Sequence, residues 1–283
     1  MPTSEEAKAA AAQYEAQNRG GTRRVARHLV TSLLLPFTAA EVVHDNASAA
    51  GIVTSEILLC AADVASVPRR IYPTDTNKTF IKAINDQARE RQWKNVSPRV
   101  ADSQDLTSHF ADGIFTHSIM NFGIFLLPQP EKAGREMFRT LKPGGTVVLT
   151  TWKLHGAIDF AHEVQLQINP DLPLFPPKLG PAESWKSESK PMTFLSELGF
   201  VDIQIHETDV ASFPFGEDPE EDVELYRFPL WEKARSKEGL TENDVEKWDE
   251  IVREHVAKCQ QGKSEKGCKM IALIAIAKKP EVG

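Results

Sequence analysis

From residue 134 the apolar positions keep a helical period up to Leu141, break at Lys142-Pro143-Gly144-Gly145, and resume as the continuous run Thr146-Val147-Val148-Leu149. Proline stops a helix, the glycines allow positive φ in a turn, and a β-branched run without alternation suits a strand covered on both faces, as in a parallel sheet. Upstream, Glu41-Val42-Val43-His44 forms a short apolar strand before the small residues Asn46-Ala47-Ser48-Ala49-Ala50-Gly51, and Ile52-Val53-Thr54 opens an apolar helix. At the N-terminus, Thr3 and Glu6 predict a capping box ahead of an alanine-rich helix that includes Tyr14 and ends at Gly20-Gly21. A second helix with an apolar face is predicted from Arg23 to Leu35, closed by Pro36.

Beyond Trp152 the pattern is irregular, and Pro170, Pro173, Pro176, Pro177, Pro181 and Pro191 leave room for one longer helix, Ala157 to Ile168. Met192 to Leu198 predicts a short helix stopped by Gly199, and Phe200 to Thr208 a strand that alternates apolar with polar residues. Phe213, Phe215, Tyr226, Phe228 and Trp231 are interleaved with acids from Glu217 to Glu224, so the aromatics are candidates for a pocket and the acids for a solvated face. Thr241 to Gln260 reads as a helix and Met270 to Ala277 as a last apolar strand, with no internal repeat or separate linker.

The Leu141-to-Gly145 helix end followed by the Thr146-to-Leu149 strand resembles the fourth helix and fifth strand of class I S-adenosylmethionine (SAM) dependent methyltransferases. The resemblance implies an α/β, Rossmann-like, seven-stranded and mostly parallel sheet with helices on both faces and an antiparallel last strand. It implies a single domain over 1–283: an N-terminal helical lid (1–36), a SAM-binding core (37–152), cap insertions (153–190 and 212–265) and final strands (191–211 and 266–283). In that family the loop after the first strand usually reads acidic-x-Gly-x-Gly-x-Gly. Here those positions fall on Asp45, Ala47, Ala49 and Gly51, so two glycines are replaced by alanine, which keeps clearance for a cofactor but loses easy access to positive φ. Asp75, followed by Thr76, stands where the family's carboxylate accepts both ribose hydroxyls. Its spacing from Gly51 suits an NAD-binding fold equally well, and the family pattern decides between them. Val100-Ala101-Asp102-Ser103 matches the strand end that meets adenine, and Phe115 to Phe122, with His117 and Asn121, matches the fourth strand and the loop facing methyl transfer. Tyr14 is placed by the resemblance to reach cofactor or substrate from the lid. The Asp45-Asn46-Ala47 opening and the Gly51-Ile52-Val53-Thr54 helix start are similar to small-molecule methyltransferases of fungal secondary metabolism.

Other readings of these residues stay open at this point. Asp45, Asp75 and Asp102 are also the residues that turns select for local hydrogen bonding, His117 and His155 are ordinary strand and loop histidines, and Tyr14 is an ordinary core aromatic.

Charge and composition narrow the partners. A net charge of −7 and a pI near 5.7 give no broad attraction to nucleic acid or anionic membrane, so neither is expected as a partner. Cys60, Cys259 and Cys268 lack paired metal spacing and read as reduced thiols. The polar, acidic N-terminus is unlike a signal peptide and no apolar run reaches membrane-spanning length, so a cytoplasmic enzyme is expected.

The implied chemistry is in-line transfer of the SAM methyl group to an O, N or S atom of a small-molecule substrate, releasing S-adenosyl-L-homocysteine (SAH). His117 and His155 are the candidate bases for an acceptor that needs one, and no metal is expected. The alternative is a methyltransferase-like protein that transfers no methyl, acting as a partner subunit or as a pocket catalyst of rearrangement. An NAD(P) oxidoreductase fits Asp75 but lacks the Gly-x-Gly-x-x-Gly loop. A homodimer through the N-terminal helices is a further expectation.

Overall fold

Strand β1 (Val42–Asn46) is buried along its whole length, and the sheet extends from it in both directions. The computed structural model describes residues 2–34, 36–61, 64–171, 183–210, 212–227, 241–262 and 266–281. In chain order the helices are α1 (Ser4–Gln17), α2 (Gly21–His28), α3 (Ile52–Leu59), α4 (Lys78–Glu90), α5 (Pro130–Thr140), α6 (Gly156–Ile168), α7 (Ser189–Glu197), α8 (Pro219–Arg227) and α9 (Glu242–Gln260). The further strands are β2 (Arg70–Asp75), β3 (Arg99–Val100), β4 (Phe115–Met120), β5 (Leu141–His155), β6 (Val201–Thr208), β7 (Phe213–Pro214), β8 (Gly267–Cys268) and β9 (Met270–Lys278).

The main sheet has seven strands in the order β3-β2-β1-β4-β5-β9-β6. β3, β2, β1, β4 and β5 run parallel, and β9 is antiparallel to both β5 and β6. β7 and β8 form a separate two-stranded pair. Strand order reverses at β1, so the loops after β1 and β4 open on the same crevice at the carboxyl edge, where open α/β sheets bind ligands.

One hydrophobic cluster joins Val43, Ile71, Ile119, Val148 and Trp152 of the sheet to α2, α3, α6 and α9; the other joins Phe115, Met120, Val147 and Leu149 to α5 and α7. Both sheet faces are therefore covered, as the unalternated apolar runs require.

Two elements differ from the pattern-based expectation. The second N-terminal helix starts at Gly21, ends as α-helix at His28 and continues as a π-turn from Leu29 to Leu33. β5 reaches His155, well past the Leu149 end that the apolar run predicted, because β9 pairs alongside it as far as His155 opposite Met270. The expected capping box at Thr3 and Glu6 is present. Pro173, Pro176, Pro177, Pro181, Phe228 and Trp231 of the predicted cap lie outside the described residues. Among the described residues, no helix is long and apolar enough to cross a membrane.

Candidate active site at the carboxyl edge of the sheet

The loop from β1 to α3 alternates in handedness. Ala47, Ala49 and Gly51 have φ of 54°, 44° and 75°, so each of the three glycine positions takes the left-handed conformation whichever residue occupies it. At Gly51 the requirement is also steric, since a Cβ there would lie 2.8 Å from Ile84 Cγ1. At Ala47 and Ala49 the cost of the left-handed region is roughly 1–2 kcal/mol per residue. The surrounding bonds hold them there: Ser48 N donates to Thr74 O at 2.8 Å, and Ala49 N to Asp75 Oδ2 at 2.9 Å.

Asp75 ends β2 and lines the loop directly. Its second oxygen accepts from Asn77 N at 2.8 Å, so the carboxylate is held between the loop and the start of α4. Thr76 beside it is exposed. At the end of β3, Asp102 is exposed and accepts from Gln104 N at 2.9 Å, while Ser103 is buried and donates to Asn46 Oδ1 at 2.7 Å. Ser103 thus ties two strand ends together. Asn46 Nδ2 and Ser48 Oγ, both buried around this loop, have no hydrogen-bond partner.

Asp45 departs from the expected role. Its carboxylate is fully buried and Oδ2 accepts from Thr54 N and Thr54 Oγ1 at 3.0 and 2.7 Å, which fastens the first turns of α3 to β1. Burial pushes this carboxyl up to about 7, although both Thr54 donors oppose the shift. The neighbouring His44 is equally buried. Its Nε2 lies 2.9 Å from Thr74 Oγ1, its ring stacks on Phe115 at 4.6 Å, and burial lowers it to about 3.

The two candidate bases stand at opposite ends of the sheet. His117 pairs with Val43, the second residue of β1, and with Thr146, the first residue of β5 after the Gly144-Gly145 pair, so it lies toward the amino edge. Its ring meets Phe37 edge-on at 5.1 Å, and Nδ1 lies 3.0 Å from Thr116 Oγ1. Glu41 and Lys278 are the charges that act on it. This geometry removes His117 from the candidate catalytic and cofactor-binding residues, because the strand register carries it away from the crevice. His155 ends β5 at the carboxyl edge. Its Nδ1 is buried and makes no hydrogen bond to another residue, and burial lowers the imidazole to about 4 against its own backbone carbonyl, so the ring is neutral near pH 7. The ring sits edge-on to Trp152 at 5.3 Å, and Trp152 stacks on Phe122 of the β4 loop at 3.9 Å.

The N-terminal helices are tied to each other and to α3 through ion pairs that residue pattern alone does not pair up. Glu56, buried within α3, accepts from Arg23 Nη1 at 2.5 Å and from Arg27 Nε at 2.8 Å, and Glu15 of α1 also pairs with Arg23. The visible signal was a single acid inside the apolar run Ile52 to Leu59, opposite a helix with arginines four residues apart. Asn121 joins three elements: it accepts from Thr150 Oγ1 at 2.9 Å and donates to Thr22 O at 3.3 Å, while Thr150 Oγ1 accepts from Phe122 N at 2.7 Å. Tyr14 is half-buried, packs edge-on against Phe80 at 5.6 Å and brings its hydroxyl to the Thr22 side chain. Burial, helped by the Glu15, Asp75 and Asp45 carboxylates, pushes that hydroxyl up to about 12. The edge therefore gathers Tyr14, the Ala47-to-Gly51 loop, Asp75, Asp102, Asn121, the Phe122–Trp152 stack and His155. Among the described residues, no group of three or more His, Cys, Asp or Glu side chains could hold a metal ion.

Comparison with known proteins gives a consistent pattern. Residues 49–149 match the family described as "Methyltransferase domain". Methyltransferase ucsB of an Acremonium species is 32% identical over 150 residues, covering 49% of this chain and 50% of that protein. Methyltransferase ktnA of Aspergillus niger is 25% identical over 186 residues, covering 58% of this chain and 60% of its own length. The chain thus spans about half to three-fifths of the length of these two relatives. Among solved structures, the YcgJ protein of Bacillus subtilis superposes with a TM-score of 0.56 at 16% identity, covering 92% of this chain and 99% of that one. Phosphoethanolamine N-methyltransferase 2 of Haemonchus contortus, solved with SAH, superposes with a TM-score of 0.55 at 14% identity, covering 90% of this chain and 52% of that one. At such identities these structures speak for the fold.

Proposed function

We propose that this chain is a class I SAM-dependent methyltransferase that transfers the methyl group of SAM to an O, N or S atom of a small secondary metabolite. The observation that carries the reading is the loop of three left-handed residues closed onto the Asp75 carboxylate at the crevice. Left-handed alanines at two glycine positions keep the loop path that a nucleotide cofactor needs, so the substitutions do not argue for a loss of binding. The unpartnered Asn46 Nδ2 and Ser48 Oγ beside the loop are buried polar atoms that a polar ligand would satisfy. The residues present therefore fit the cofactor: Asp75 toward the ribose hydroxyls, Ala47, Ala49 and Gly51 along its length, Thr76, Asp102 and Ser103 around the adenine, Tyr14 from the lid.

When bound, SAM supplies an activated methyl on a positively charged sulfur, and a neutral thioether leaves. The protein's task is to orient the acceptor and exclude water. The Phe122–Trp152 stack supports an apolar wall for the crevice, and the N-terminal helices are assigned the role of its lid. His155, neutral near pH 7 and with Nδ1 bonded to no other residue, is the group able to accept a proton from a hydroxyl or thiol acceptor. Segments 153–190 and 212–265 are assigned to the cap that selects the acceptor; similarity to a protein named acetylaranotin bis-thiomethyltransferase, of Aspergillus terreus, supports a small-molecule substrate.

Calorimetric titration with SAM and SAH, against NAD(P) and against Asp75→Ala, tests the reading. Loss of the two ribose hydrogen bonds to a charged acceptor should weaken SAH by about a hundredfold or more. Well-folded protein that binds neither SAM nor SAH would reject the function.

A further inference from the structure

We propose that Thr150 is a positioning residue of the crevice: its hydroxyl holds Phe122 in the left-handed conformation and so fixes the loop after β4 against the loop from β1 to α3. The inference rests on the methyl-transfer reading for what the crevice holds, and adds to it a strand residue with no exposed surface of its own.

Phe122 has a φ of 57°, a region that bulky side chains rarely adopt. Glycine would take the same turn without strain, yet an aromatic ring stands there, buried and stacked on Trp152 with centroids 3.9 Å apart. Such a conformation persists only where the surroundings over-determine it. Three contacts do so. The Phe122 N–H donates to Thr150 Oγ1 at 2.7 Å, the ring lies on Trp152, and the next residue is Gly123, where a Cβ would come within 2.9 Å of Met120 Cγ and 3.0 Å of Ala47 Cβ. The left-handed turn thus carries the chain from the end of β4 close past Ala47, the first left-handed residue of the loop from β1 to α3.

Thr150 itself is fully buried in β5, opposite Ile274 of β9 and directly after the apolar run Val147-Val148-Leu149. Valine has nearly its shape and would bury there without the cost of a hydroxyl. The hydroxyl is instead used twice: it accepts from Phe122 N and donates to Asn121 Oδ1 at 2.9 Å. Asn121 passes the constraint on by donating to Thr22 O of α2 at 3.3 Å. One hydroxyl therefore ties two consecutive residues of the loop to the centre of the sheet and connects them to the N-terminal helices.

Without that hydroxyl, Phe122 N–H and Asn121 Oδ1 lose a buried partner, and the turn loses the bond that offsets its strain. The loop then relaxes by returning Phe122 to negative φ, which takes the ring off Trp152 and moves Gly123 away from Ala47. His155 sits edge-on to Trp152 at 5.3 Å, so the same relaxation disturbs the packing of the candidate base.

The test uses two pairs of proteins that differ in the hydroxyl: wild type against Thr150→Val, and Thr150→Ser against Thr150→Ala. Melting without ligand checks that each is folded at the titration temperature. Calorimetric titration with SAH reads the loop from β1 to α3, and near-ultraviolet circular dichroism, taken relative to Trp152→Phe, reads the aromatic stack with no ligand present. Thr150→Val is expected to bind SAH about tenfold more weakly and to lose most of the Trp152 signal, whereas Thr150→Ser should stay within about threefold of wild type and keep the signal. The serine and alanine variants should repeat that difference, and they decide the matter if the valine variant folds poorly. A folded valine variant that binds SAH as wild type does would overturn the inference whatever its melting point. Equal losses in the serine and valine variants would overturn it too, since they would mark the threonine methyl group. Those results leave the methyl-transfer reading standing. A wild type that binds no SAH rejects that reading, and the dichroism comparison still tests the hold on Phe122.

Discussion

Replacing Asp45 by asparagine should make stability rise with pH between 4.5 and 6.5, where that of the wild type is nearly flat. The carboxyl ionises at about 7 when folded, against an ordinary value of 3.8, so the folded chain holds its proton more tightly than the unfolded chain. Its contribution to stability is present below the unfolded value and is lost as pH rises toward 7, by about 1.4 kcal/mol per pH unit and about 4 kcal/mol in all, to order of magnitude. His44 works the other way. Its folded value, about 3, is depressed below 6.5, so its stabilisation is present above 6.5 and is lost as pH falls, with the same slope. Between pH 4.5 and 6.5 the two slopes nearly cancel in the wild type.

Asparagine keeps one oxygen to accept from Thr54 N and Oγ1 and removes the ionisation. The variant should therefore gain on the wild type by about 2.7 kcal/mol between pH 4.5 and 6.5. Above neutrality its net advantage is reduced by roughly 1–3 kcal/mol if the new NH₂ group stays unpaired. Urea unfolding at pH 4.5, 5.5, 6.5 and 7.5 measures the difference, and contributions from every other carboxylate drop out of it. A difference that does not vary with pH would refute the raised carboxyl. SAH affinity at pH 8 serves as a second readout: unchanged affinity fits a residue that fastens α3, and a large loss would return Asp45 to the cofactor site.

Three further outcomes follow from the geometry. Ala49→Gly relieves the left-handed alanine at the cost of extra unfolded-state freedom, so a net gain of about 0.5–1 kcal/mol is expected, read as a melting point a few degrees higher; a lower one would contradict the strain. Glu56→Gln leaves Arg23 with Glu15 and Arg27 with solvent, and should destabilise by about 2–3 kcal/mol after allowing for the exposure of both arginines. Hydrogen exchange should then speed up in α2 ahead of the sheet, and uniform acceleration would deny the latch. His117→Gln should leave SAH affinity within about twofold of wild type, since the ring packs on Phe37 at the far edge; a tenfold loss would return it to the site.

Much of the fold was legible because it is written in local periods. The helix, turn and apolar run from residue 134, the small-residue loop, the Thr3 capping box and the alternating strand at Phe200 each follow from neighbours a few residues apart. Asp75 was legible as well, since a carboxylate ending one strand and a small-residue loop ending another meet wherever two parallel strands lie side by side.

What the local pattern left undecided was set by contacts between distant residues. His117 and His155 are both strand histidines. Only the register of β4 against β1, and the pairing that β9 imposes on β5, sends one to the amino edge and the other to the crevice. Asp45 carries the family's acidic position, yet its direction was decided by Thr54 in the next helix. Glu56 found its arginines across 33 and 29 positions, and Asn121 reached Thr22 across 99. Sequence by itself determined which elements form and which loop stays small, because backbone sterics and apolar spacing act over a turn or two. The tertiary structure alone decided which polar atoms are buried together, because that depends on how strands and helices from far along the chain come to share one edge.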